Sequence, residues 1–127
     1  MKPRRRAQSR LDSFRYALAG LAHALRTQPN AWIHATISVM VILLGIWLGI
    51  GVQAWALLAL AMGLVWTAEL FNTAMEEAVD LASPSVHPLA RLGKDTAAAA
   101  VLTASAAAVV VGLLVLGPPL WLRLMGN

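Results

Sequence analysis

Acidic and amide side chains recur at helical spacing near the middle of the chain. Four of them lie three or four residues apart, so on an α-helix they share a face about 80° wide: Glu69, Asn72, Glu76 and Asp80. Glu77 falls to one side of this acidic face. Glu69 follows an apolar run of about 15 residues, and an ionisable group at membrane depth is costly and usually functional. Solvation of a helix end explains Glu77 and is the alternative for Asp80, but it does not explain Glu69.

A divalent cation would relieve the repulsion between the carboxylates of the acidic face. All of its possible ligand atoms are oxygens, which suits Mg²⁺ better than zinc, and the chain has no cysteine. His34 and His87 do not suggest a metal site, because nothing in the sequence brings them within reach of one another. We expect His34 to be hydrogen-bonded inside a helix bundle.

A polar loop at 83–93 supplies a complementary feature. We expect Lys94 and Asp95 to lie at the start of the next helix, where free backbone N–H groups and the helix dipole favour phosphate. The alternative is that Asp95 caps this helix and Lys94 extends to the membrane surface. Together with the acidic face, a basic phosphate site indicates phosphoryl transfer. The sequence contains no GxxxxGKS or GxxxxGKT loop, which excludes a P-loop mechanism.

The composition indicates that these residues are carried by membrane helices. Hydrophobic residues make up 59% of the 127 residues and charged residues only 13%, against about 25% charged in soluble domains. We predict an all-α membrane protein of one domain, with an N-terminal amphipathic surface helix and three transmembrane helices. The expected ranges are a basic tail at 1–8, the surface helix at 10–28, and transmembrane helices at 31–50, 53–82 and 94–121. A turn at Gly49–Gly51 separates the first two spans, and Pro118-Pro119 is expected to end the third.

Basic residues predict the orientation in the membrane. Seven of the ten precede residue 27, and Arg91 and Lys94 lie in the second loop. Three spans place the N-terminus and the second loop on one side, which is therefore cytoplasmic. The basic arm precedes apolar segments, which favours anionic lipid over nucleic acid as its partner. The third span is rich in alanine, which favours close helix packing and self-association.

The chain resembles the prokaryotic diacylglycerol kinase family, which includes undecaprenol kinases. The similar segments are Ser13–Ala17 with Gly20-Leu21, Asn30 with Ile33-His34, Glu69–Ala74 through Glu76, Val79-Asp80, His87–Ala90 and Lys94-Asp95. The resemblance implies a homotrimer in the bacterial cytoplasmic membrane, with active sites shared between subunits. It also implies transfer of the γ-phosphoryl group of Mg-ATP to the hydroxyl of a membrane lipid, either diacylglycerol or undecaprenol. The segments around His34 and His87 are more similar to those of the undecaprenol kinase branch.

The resemblance also implies a role for each site residue. Glu69 is the general base, Asn72 positions substrate or phosphate, and Arg10, or else Arg15, makes a basic contact there. Glu76 and Gln28 hold the metal. The ATP-binding residues are Tyr16, Gln28, Glu76, Ser85, His87, Lys94 and Asp95. Gln28 departs from the family, whose members usually carry a glutamate at this position. An amide oxygen still coordinates Mg²⁺ but brings no charge, so we expect weaker metal binding.

Two alternatives remain open at the level of the sequence. The first is a membrane scaffold or small channel without catalytic activity, although a channel would place polar residues along a whole span rather than at one end. The second is an inactive member of the family, which the departure at Gln28 allows. Retention of Glu69, Asn72 and Glu76 with Lys94 and Asp95 argues against inactivity.

Overall fold

The computed structural model describes residues 10–85 and 87–126, and this part of the chain folds into four helices. They are α1 (Arg10–Thr27), α2 (Pro29–Leu48), α3 (Val52–Ala82) and α4 (Pro88–Met125). The predicted all-α architecture is therefore confirmed. The basic tail expected at 1–8 lies outside the described residues.

Three of the helices, α2, α3 and α4, are long and apolar enough to cross a membrane. At 1.5 Å per residue, the 20 residues of α2 span about 30 Å, the thickness of the hydrocarbon core of a bilayer. Large apolar side chains on all three helices are exposed, among them Leu43, Leu60 and Leu113. Such a surface suits lipid rather than water, which agrees with the prediction of three transmembrane helices.

The first two junctions follow from backbone chemistry. Gln28 is the single non-helical residue between α1 and α2, and Pro29 starts α2, where its missing N–H costs nothing. Gly49 ends α2 in the left-handed conformation (φ 66°), which glycine adopts without strain. The turn predicted at Gly49–Gly51 is therefore present.

The start of α4 differs from the prediction. The helix begins at Pro88, and His87 caps it by accepting a hydrogen bond from the backbone N–H of Leu89 at 3.2 Å. Lys94 and Asp95 consequently lie within the second turn of α4. The expectation that they stand at the helix start, or that Asp95 caps it, is wrong, because a cap followed by proline is the stronger start signal.

The end of α4 also differs. Pro118 and Pro119 lie inside the helix, which continues to Met125, so the prediction that they end it is wrong. Each proline lacks a backbone N–H, so a helix that continues through the pair leaves two carbonyl groups without their usual donors. A segment that left the helix here would expose more backbone groups than that to lipid. Continuing the helix leaves fewer backbone groups without partners.

The helices pack unevenly. The closest pair is α3 and α4, whereas α2 and α1 make fewer contacts with the rest. Near the turn between α2 and α3, Gly45 is buried against the indole ring of Trp55. On the same side of the bundle, the guanidinium of Arg123 lies 5.3 Å from the ring centre of Trp47 and joins the end of α4 to the end of α2. The packing of α3 on α4 and of α2 on α3 positions the polar groups described next.

Candidate active site

Three polar residues on α3 are buried: Glu69, Asn72 and Thr73. Glu69 is 0% exposed, although it lies in a helix that can span a membrane. Thr73 donates its hydroxyl to the backbone carbonyl of Glu69 at 3.0 Å and is satisfied within its own helix. Both carboxylate oxygens of Glu69 lack a hydrogen-bond partner within the described part of the chain, as does the amide oxygen of Asn72. Burial of such groups is costly, which marks this part of α3 as a site.

His34 of α2 faces Glu69. Its Nε2 atom lies 3.6 Å from Oε2 of Glu69, beyond hydrogen-bond distance, and its side chain is largely buried. The expectation that His34 lies inside the bundle is confirmed, but no hydrogen bond from its side chain is formed to any residue that the structure describes. His34 also lines an apolar cavity of about 390 Å³ between α2, α3 and α4, together with Ser38, Val65, Ser105 and Leu116.

Glu76 is held by two amides. Gln28 donates from Nε2 to Oε2 of Glu76 at 2.9 Å, and Asn72 donates from Nδ2 to Oε1 at 3.1 Å. Gln28 lies between α1 and α2, so this contact ties that junction to α3. The structure thus brings together three residues that the sequence analysis assigned to the site.

These three residues suit a magnesium ion by their chemistry. One carboxylate and two amide oxygens form an oxygen-only set, and Mg²⁺ is usually held by one or two carboxylates together with substrate phosphates and water. The amide oxygen of Asn72 is buried and without a partner. Among the described residues no cluster of three or more His, Asp or Glu side chains forms a metal cage. The site therefore offers a single carboxylate ligand rather than a preformed cage.

Lys94 faces the outer end of the acidic face. Its Nζ lies 2.5 Å from Oδ1 of Asp80, which joins α4 to the last turns of α3 across the short loop. The Lys94 side chain is 36% exposed, so this ion pair lies at the surface of the described chain. Arg91 and Asp95, one turn apart on α4, form a looser and more exposed pair at 3.9 Å.

The remaining predicted residues lie around this centre. Arg10, Arg15 and Tyr16 are exposed on α1. Ser85 is exposed in the loop after α3, where its backbone carbonyl accepts a hydrogen bond from the Ser83 hydroxyl. Gln28, His34 and Lys94 each contact a residue of the acidic face. The hydrogen bonds of Ser85 and His87 are made to Ser83 and Leu89 instead.

Two features of the site are not evident in the sequence: the contact between His23 and Glu77, and a role for His34. His23 of α1 contacts Glu77 through Nε2 and Oε1, which ties the surface helix to α3. A single histidine on an amphipathic helix carries no signal for such a partner, because the pairing depends on how the two helices dock. The sequence places His34 within the first predicted transmembrane span and Glu69 within the second. A histidine in one span beside a glutamate in the next was therefore the available signal that the two residues could meet.

Comparisons with known proteins identify the family of this chain. Residues 15–116 match the family described as prokaryotic diacylglycerol kinase. A protein of Synechocystis sp. named diacylglycerol kinase is 49% identical over 115 residues, covering 90% of this chain and 66% of that protein. A protein of Bacillus subtilis named undecaprenol kinase is 35% identical over 108 residues, covering 85% of this chain and 88% of that protein. This chain thus spans slightly less than two thirds of the Synechocystis relative's length.

Proposed function

The chain belongs to the prokaryotic diacylglycerol kinase family, and from this premise we propose that it transfers the γ-phosphoryl group of Mg-ATP to the hydroxyl of a membrane lipid alcohol. The acceptor is diacylglycerol, giving phosphatidic acid, or undecaprenol, giving undecaprenyl phosphate, in line with the names of the two relatives. The observation that carries the proposal is the fully buried carboxylate of Glu69 in a membrane helix.

Glu69 acts as the general base. A lipid hydroxyl is a weak nucleophile until its proton is removed, and a positioned carboxylate accelerates such a step by about 10²–10⁴-fold. Both oxygens of Glu69 are buried and free of hydrogen-bond partners within the described chain, so one of them is available to the hydroxyl. The proton passes to Glu69 while the lipid oxygen forms a bond to the γ-phosphorus and the bond to ADP breaks.

The nucleotide is held beside this base. Glu76, Gln28 and Asn72 would hold Mg²⁺, which would neutralise charge on the phosphates. To present oxygen to the ion, the amides of Gln28 and Asn72 would have to turn away from their present contacts with Glu76. Lys94 exchanges its exposed contact with Asp80 for the phosphates. Asp95, His87, Ser85 and Tyr16 complete the nucleotide site, and Arg10 or Arg15 supplies the basic contact to the lipid or phosphate.

The protein acts in the bacterial cytoplasmic membrane with its N-terminus in the cytoplasm. The support is the charge bias, with nine of ten basic residues on one predicted side of the membrane. We propose a homotrimer with active sites shared between subunits. A single chain buries few side chains, and exposed apolar residues cover its three long helices.

Glu69→Gln tests the proposal, with Glu77→Gln as a matched control on the same helix. Glu77 is exposed and contacts His23 rather than the acidic face. In mixed micelles with lipid and labelled Mg-ATP, we expect Glu69→Gln to lose about 10²–10⁴-fold in transfer while Glu77→Gln stays within threefold of the unmodified chain. Gel filtration in detergent verifies that both variants keep the same assembly. Equal activity of Glu69→Gln and the unmodified chain would remove Glu69 from the reaction and favour a scaffold or an inactive relative.

A further inference from the structure

His34 and Glu69 are neighbours inside the bundle. The Glu69 side chain is 1% exposed and the His34 side chain 13%, and their nearest polar atoms lie 3.6 Å apart. One residue comes from α2 and the other from α3, so the approach depends on how these two helices pack. Neither carboxylate oxygen of Glu69 has a hydrogen-bond partner within the described chain.

His34 brings a donor close to the Glu69 carboxylate, whereas three other donors of α3 and α4 are engaged with other partners. On α3, Thr73 donates to the backbone of Glu69 and not to its carboxylate. The amide nitrogen of Asn72 points to Glu76. The ammonium group of Lys94 is engaged with Asp80. A carboxylate buried without any donor is costly to keep ionised, and a donated hydrogen bond lowers that cost.

We propose that His34 is a positioning residue for Glu69. Its Nε2–H donates to Oε2 of Glu69 when substrate binds, and Oε1 is left for the lipid hydroxyl. The 3.6 Å separation closes by about 0.7 Å, which agrees with the tightening of catalytic hydrogen bonds when substrate binds. This inference rests on the proposed lipid kinase function.

His34 also connects the base to the apolar cavity between α2, α3 and α4. It lines this cavity together with apolar residues of all three helices. In this proposal the His34 imidazole holds the Glu69 carboxylate in position, and the adjacent cavity remains largely apolar. A larger or charged side chain would change both properties together.

Kinetics of three His34 variants test the proposal. In His34→Gln the amide nitrogen reaches the position of Nε2, in His34→Asn it stops short of it, and His34→Leu fills the volume without a donor. A hydrogen bond to a charged group corresponds to about tenfold to hundredfold in rate. We expect that loss in kcat for His34→Leu and His34→Asn, with the KM for ATP unchanged within threefold. His34→Gln should retain at least a fifth of the activity.

Two further measurements separate positioning from a structural role. In the Glu69→Gln background, His34→Leu should cause no further loss, because residues that act as a unit are not additive. His23→Gln, which changes an exposed histidine that contacts Glu77, is the control and should keep full activity. An equal loss in His34→Gln and His34→Leu, or a full extra loss in the Glu69→Gln background, would overturn the proposal. If His34→Leu does not fold, the comparison of His34→Gln with His34→Asn decides.

A measurement that does not require enzyme turnover separates failure of the proposed kinase function from failure of the proposed role of His34. Thermal unfolding in detergent of the single and double variants at His34 and Glu69 gives their coupling in the folded protein. Coupled shifts in Tm without lipid phosphorylation by the unmodified chain would keep the contact and reject the kinase function. Lipid phosphorylation that is insensitive to all three His34 variants would keep the kinase function and reject the role of His34.

Discussion

The substitution Gln28→Glu should raise the affinity of the site for Mg²⁺ and lower the stability of the protein without Mg²⁺. Gln28 now donates an amide hydrogen to Oε2 of Glu76 at 2.9 Å. Gln28→Glu replaces that donor by an oxygen and brings two carboxylates together. Unit charges about 4 Å apart repel by about 1 kcal/mol in water and about 4 kcal/mol near a protein surface. Since both side chains are partly buried, we expect the metal-free variant to lose about 1–4 kcal/mol of stability.

Bound Mg²⁺ should turn the loss of stability caused by Gln28→Glu into a gain. An added carboxylate about 4 Å from a divalent ion gains about 2 kcal/mol even at the dielectric constant of water, and more at ligand distance. A gain of 2 kcal/mol corresponds to about a 30-fold lower Mg²⁺ concentration at half-saturation. The present glutamine thus holds the junction of α1 and α2 on α3 without metal, at the cost of metal affinity.

Thermal unfolding in detergent at increasing Mg²⁺ measures both effects. The variant should start several degrees below the unmodified chain and gain more from Mg²⁺, because a ligand that binds only the folded state raises its stability. Gln53→Glu adds the same charge at the opposite end of α3, where Gln53 is exposed, and serves as the matched control. If Gln28→Glu and Gln53→Glu responded alike to Mg²⁺, the assignment of Gln28 and Glu76 to the metal would be refuted.

Two further predictions concern nucleotide binding and packing. Lys94→Met should raise the KM for ATP by about tenfold to hundredfold, because a charge-assisted contact is lost. In the same kinetic assay, Arg91→Met, on the exposed side of the same helix, should change the KM less than threefold. Equal effects of the two substitutions would contradict a specific role for Lys94. Gly45→Ala would place a Cβ atom 2.8 Å from the Trp55 ring and should cost about 1–3 kcal/mol in thermal unfolding. Gly20→Ala, which meets open space in α1, should be neutral or stabilising, and the opposite order of the two glycine variants would refute the packing.

Features that lie along one helix could be predicted from the sequence. The apolar runs gave the three transmembrane helices, because only long apolar helices satisfy their backbone in lipid. The spacing of Glu69, Asn72 and Glu76 fixed their common face, because helical geometry alone decides it. Gly49 marked the turn between α2 and α3 through its tolerance of positive φ.

Features that depend on helix ends or on packing between helices were predicted less well. The start of α4 was placed at the charged residues, although His87-Pro88 carries the start signal. The proline pair at 118–119 is a helix-ending signal in water, but α4 continues through it because breaking a helix within a membrane leaves more backbone groups without partners. The approach of Gln28 to Glu76 was expected only from the family resemblance, because it depends on the docking of α2 on α3, which no spacing along the chain encodes.

The most direct test of the central claim is transfer of labelled γ-phosphate from Mg-ATP by the purified, unmodified chain. Mixed micelles containing either diacylglycerol or undecaprenol supply the acceptor, and micelles without either lipid are the control. We expect at least one of the two lipids to become labelled, and we expect removal of Mg²⁺ with a chelator to abolish the labelling. Absence of label from both lipids across the whole range of Mg²⁺ concentrations would contradict it.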